Sequence, residues 1–147
     1  MGTRDRKYTI NVMTKFRHVL LHFILLGCTQ PLLAADQETP VLTGATSGGI
    51  RIEIFSELAP LAINQIHSWQ IRILDENGIA IQPEMKLSGG MPEHNHGLPT
   101  APAITATLDN GNYLLEGMRF HMPGHWQLLF EITGNGSMQT AVIDFEL

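Results

Sequence analysis

From residue 50 onward, apolar and polar positions alternate with a period of two. That is the pattern of half-buried β-strands, not of helices. Ile50, Ile52 and Ile54 alternate with Arg51 and Glu53, and Trp69, Ile71 and Ile73 with Gln70 and Arg72. Ile79, Ile81, Met85 and Leu87 form a third run, in which Pro83 marks an edge strand or a bulge. Trp126, Leu128, Phe130 and Ile132 make a fourth, and Ala141, Ile143, Phe145 and Leu147 a fifth. Residues 103–108 and 113–121 add two weaker strands, with Gly117 as a bulge that switches the inward-facing parity.

Paired residues of a hairpin share a face, so the apolar sets must meet across each turn. Asn135-Gly136 as a two-residue loop pairs Phe130 with Ala141, Leu128 with Ile143 and Trp126 with Phe145, all apolar. Glu76-Asn77-Gly78 as a loop pairs Ile73 with Ile81 and Trp69 with Met85, with Gly78 left-handed. The pattern predicts an all-β fold, an immunoglobulin-like β-sandwich of about seven strands. Segment 88–103 departs from it. Pro92, Pro99 and Pro102 with Gly89, Gly90 and Gly97 predict a long loop without a regular element, the kind of segment that carries function.

The N-terminal part reads as an address. Lys15, Arg17 and His18 precede a short apolar run, Val19 to Leu26, too short for a spanning helix of roughly 20 residues. A basic flank, a short apolar centre and small residues at Ala34-Ala35 describe a secretory signal peptide over residues 1–35, with Met13 as a candidate start. Two cleavage readings stand. Ala35-Asp36 suits ordinary signal peptidase. Leu25-Leu26-Gly27-Cys28 resembles a lipobox, which would leave Cys28 lipidated and the protein membrane-anchored. Pro31 and the apolar Leu32–Ala35 favour the first and a periplasmic protein. Residues 36–49 then read as a flexible linker and 50–147 as the domain.

Charge narrows the partners. Of the nine Lys/Arg and fourteen Asp/Glu, residues 36–147 hold four and thirteen, a net charge of 4 − 13 = −9. A nucleic-acid partner, which needs a basic surface, is excluded. A single cysteine, Cys28, excludes a disulfide framework and a Cys-based zinc site within one chain.

The chemistry lies in histidine and methionine. Residues 36–147 contain five His and five Met, and four of the His fall in two clusters: Met91-Pro-Glu-His94-Asn-His96-Gly97 and Met118-Arg-Phe-His121-Met122-Pro-Gly-His125-Trp126. In an extended loop His94 and His96 point the same way. A three-residue loop over Met122-Pro123-Gly124 pairs Phe120 with Trp126 and Met118 with Leu128, and sets His121 opposite His125 on the outward face; a five-residue loop over 121–125 keeps the same parity with both His at its tip. Imidazole suits Cu, Zn and Ni, and thioether sulfur selects Cu(I), so this donor set points to copper as Cu(I) or Cu(II). The candidate metal residues are Met91, His94, His96, His121, Met122 and His125. Met118 and Met85 read as core and His67 as structural. No nucleophile elbow, phosphate loop or zinc-protease motif is present, so no catalytic residue is assigned and the chain does not read as an enzyme, a copper redox enzyme being the one enzymatic reading left open.

Gly89-Gly-Met-Pro-Glu-His-Asn-His-Gly-Leu-Pro-Thr100, followed by Asn112-Tyr-Leu-Leu-Glu-Gly-Met-Arg-Phe-His-Met-Pro-Gly-His-Trp-Gln-Leu128, resembles the YtkA-like family of small exported bacterial domains, which is FixH-like in pattern. The resemblance covers about residues 50–147. It implies an immunoglobulin-like sandwich and an exported or membrane-tethered location. More distantly the chain is similar to periplasmic copper chaperones that use His and Met, although their His-x-Met order is absent. Together these features predict an exported metal-binding accessory protein, a copper carrier or buffer serving an envelope oxidase or a metal-efflux component. The alternative is a non-metal interaction domain that uses the 88–103 loop as its rim.

Overall fold

The computed structural model describes residues 38–134 and 136–147; the export signal read over 1–35, including Cys28, lies outside the described residues. Among the described residues, ten strands form two antiparallel sheets. The first holds β1 (Leu42–Ala45), β2 (Arg51–Ser56), β3 (His67–Leu74), β8 (Tyr113–Met118) and β7 (Ala103–Thr107) in that order, with β4 (Ala80–Ile81) pairing on β3. The second runs β10 (Ser137–Glu146), β9 (His125–Gly134), β5 (Glu84–Met91) and β6 (His96–Gly97). The order β2-β3-β8-β7 facing β10-β9-β5 is that of the immunoglobulin sandwich. β1 falls inside the stretch read as a linker: Leu42 pairs with Ile54 and Gly44 with Ile52.

The alternating runs bury one parity of side chains. Ile52, Ile54, Trp69, Ile71 and Ile73 from one sheet face Trp126, Leu128, Phe130, Ile132 and Ile143 from the other, all in one buried cluster. The hairpin registers follow the parity argument: Phe130 pairs with Ala141, Leu128 with Ile143 and Trp126 with Phe145, and Ile73 pairs with Ile81. Gly117, at φ +83°, is the bulge on β8. Tyr113 and Leu115 before it and Met118 and Phe120 after it are all buried, so the inward parity switches there.

Three expectations change. Trp69 does not pair with Met85: Trp69 lies opposite Leu115, and Met85 opposite Ile132 in the other sheet. The run 79–87 is two strands, because Pro83 lacks the N–H that would continue the ladder and the chain crosses between sheets there. The Tyr113 hydroxyl donates to the Pro83 carbonyl at 2.6 Å and ties that crossing to the opposite sheet. Nor is 88–91 irregular. Ser88, Gly89 and Gly90 pair with Leu129, Leu128 and Gln127 on β9. Glycine is needed here because of a close approach: a Cβ on Gly89 would stand 2.7 Å from the Gln127 carbonyl oxygen and 2.9 Å from Leu128 Cδ2.

The sandwich is closed along β1 and β10. At Gly44 the sheets approach so closely that a Cβ would come 2.5 Å from Ile143 Cγ1, and Thr46 Oγ1 donates to Gln139 Oε1 at 2.6 Å. The β3–β4 turn is held by the Asp75 carboxylate, which accepts from the N–H groups of Ile79 at 2.8 Å and Asn77 at 2.9 Å.

Gly89→Ala is expected to lower stability by about 1–3 kcal/mol, the usual cost of forcing atoms into a filled space. Gly97→Ala, whose Cβ meets nothing nearer than 3.9 Å, should change it by less than about 0.5 kcal/mol. Urea midpoints at constant m-value read both. The bond from Ile79 N–H, with those from Asn77 and Gly78, holds the Asp75 carboxyl below its ordinary value of 3.8. A carboxylate with a lowered folded pKa stabilises above the unfolded value and loses that contribution as pH falls through the folded one. Asp75→Ala should therefore be less stable than the parent at neutral pH, and denaturation midpoints should show the gap narrowing once the pH drops below the ordinary carboxylate range.

Candidate metal centre

The first histidine segment is a tight return at the end of β5. Pro92–His94 make one 3-10 turn, and Asn95, left-handed at φ 50°, donates its N–H to the Pro92 carbonyl. The chain then folds back so that Met91 pairs with His96 and Gly90 with Gly97. Gly90 packs so tightly against the His96 carbonyl that no Cβ fits. Directly opposed residues of an antiparallel pair share a face, with Cβ atoms roughly 4.5–5.5 Å apart. Met91 and His96 are such a pair.

The second segment, Phe120–His125, is not the hairpin that the parity argument predicts. β8 pairs with β3 and β7, and β9 with β5 and β10, so the segment crosses from one sheet to the other. His121 is not opposite His125, whose partner is Glu146. Met118 lies opposite His67, and Leu128 opposite Gly89 and Ile143. Parity could not separate the two arrangements, because facing sheets also bring apolar sets together. Phe120 and Trp126 do meet, across the core, with ring centres 5.0 Å apart and edge to face.

The two segments converge. The rings of His96 and His121 are 5.9 Å apart, and His94 stacks on His96 at 6.3 Å. Two imidazoles on one ion, with metal–nitrogen bonds of about 2.0–2.1 Å, have ring centres roughly 5–6.4 Å apart. Met91 runs beneath, fully buried, its methyl reaching under the second segment: a Cβ on Gly124 would lie 2.9 Å from Met91 Cε. His121 Nδ1 is buried and has no hydrogen-bond partner. Most buried polar atoms have one, so this nitrogen is free for a ligand. The imidazoles stand in a row rather than around a point, and among the described residues no three His, Cys, Asp or Glu side chains are grouped to hold a metal ion.

The other two candidates sit differently. His125 lies on the outward face of β9, where its Nε2 meets Asp144 Oδ1 at 3.1 Å and Gln127 donates to the same oxygen at 3.0 Å. It is not among the rings that contact the His94–His96–His121 row. Met122 is half-buried against the core, and its carbonyl accepts the Trp126 Nε1–H at 3.1 Å. Trp126 was read from the sequence only as core. Its ring stands edge to face on His121 at 5.5 Å, so it supports the second segment from below. The signal for that role was its inward parity one residue after His125.

The fold and this end define a β-sandwich domain in which a return within one sheet, β5 to β6, and a crossing between the sheets, β8 to β9, carry imidazoles to one pole. Residues 45–130 match the YtkA-like family, more than half of the chain, and the chain belongs to that family. No curated protein and no solved structure matches it.

Trp126→Phe keeps most of the packed ring and removes one hydrogen bond. It should lower stability by about 1–3 kcal/mol, because the half-buried Met122 carbonyl loses its donor. Thermal or urea unfolding of the two proteins reads the difference.

Proposed function

We propose that the protein is an exported copper-binding accessory protein of the cell envelope, a carrier or buffer that passes copper to an oxidase or an efflux component. His96 and His121 are the imidazole ligands, Met91 is the thioether beneath them, and His94 and Met122 flank the site. The observation that carries this reading is the approach of His96 to His121 at 5.9 Å, with buried Met91 directly opposite His96 on the paired strand. It joins donors from two segments far apart in the chain. Imidazole with thioether favours copper over zinc, and a net charge of −9 over residues 36–147 (four basic against thirteen acidic residues) favours holding a cation. Exposed His94 and His96 give an incoming ion access to the row from solvent.

Anaerobic Cu(I) titration against a competing chelator tests the reading. A His94→Ala/His96→Ala variant should lose one bound equivalent relative to the parent, while His125→Ala binds as the parent does. Equal binding by the parent and the double variant would overturn the proposal.

A further inference from the structure

A second histidine–methionine pair lies inside the sandwich, on the core side of the Phe120 and Trp126 rings that support His121. His67, at the start of β3, is 6% exposed, and Met118, opposite it on β8, is 0% exposed. His67 Nδ1 lies 3.1 Å from the Gln65 carbonyl. A carbonyl only accepts, so Nδ1 carries the proton and donates. In the neutral ring this leaves Nε2 with a lone pair. That nitrogen is buried and has no partner.

A backbone carbonyl fixing one ring nitrogen while the other is free is the arrangement that orients histidine toward a metal. The remaining surroundings are soft and apolar. Met118 and His67 are direct partners across the ladder, so their Cβ atoms are roughly 4.5–5.5 Å apart. The rings of Trp69 and Phe120 stand 5.8 and 6.0 Å from the His67 ring. No carboxylate is hydrogen-bonded to His67 among the described residues. A dication there would carry two uncompensated charges, whereas a soft monovalent ion is suited to imidazole, thioether and aromatic faces.

We propose that His67 Nε2 and the Met118 thioether form a second, buried site for Cu(I), independent of the row at the pole. The site would hold copper out of reach of water, a storage position distinct from the solvent-facing one.

The test uses the full chain with Cys28→Ser throughout, so that no thiolate competes. Cu(I) is titrated anaerobically against a chromophoric chelator, and near-ultraviolet circular dichroism checks the fold. A His94→Ala/His96→Ala/His121→Ala variant is expected to retain one tight equivalent. X-ray absorption should show that copper with one nitrogen and one sulfur neighbour, and adding Met118→Leu should abolish it. A triple variant that binds no Cu(I), or one that keeps its copper after Met118→Leu, overturns the proposal. Failure of the polar site is read separately, as equal stoichiometry in the parent and the triple variant.

Discussion

Phe120 and Trp126, edge to face at 5.0 Å, are the contact on which this end of the molecule depends. Phe120 ends the first sheet's contribution to the core, and Trp126 opens the second sheet's central strand. The five residues between them must therefore span the sandwich at one pole. His121 is carried on that span and rests on the Trp126 ring, whose indole N–H also holds the Met122 carbonyl. An aromatic pair of this kind contributes packing and a preferred geometry together. The position of a surface imidazole is thereby set by a buried contact.

The β5–β6 return reaches the same pole for a different reason. Two glycines remove the side chains that would hold β5 away from β9 and from β6, and the chain can bend back on itself within five residues. Met91 is then on the same face as His96 while its side chain extends into the core and ends under Gly124. The buried and exposed parts of the pole are thus physically continuous. A thioether lies on the inside, imidazoles lie on the outside, and no charged group is hydrogen-bonded to the imidazole row among the described residues. The nearby His125 is occupied by Asp144 on the outer face. His121 and His125, four positions apart in the chain, therefore have unlike surroundings.

The open and closed sides of the sandwich differ in the same economical way. Gly44 lets β1 settle against Ile143, and the Thr46–Gln139 bond seals that flank. On the other flank Tyr113 spans the gap to Pro83, and β7 is left as an exposed edge. Burial also pushes the Tyr113 phenol above its ordinary value of 10.0.

Much of the frame was legible in the chain. Period-two alternation marks strands because side chains of a strand point alternately to opposite faces, and the Asn77-Gly78 and Gly136 turns set registers that the apolar sets confirm. The Gly117 bulge was readable because parity changes across it. The histidine clusters were legible as donors because residue type alone decides what an atom can bind. Tertiary structure decided the rest. Parity tells which residues face inward but not which sheet supplies the facing surface, so Pro83 was a crossing where an edge strand or a bulge was expected, and Pro123-Gly124 a crossing where a hairpin was expected. Only the packing of one sheet on the other could bring His96 beside His121, since they stand 25 positions apart in sequence and belong to connections made by different pairs of strands.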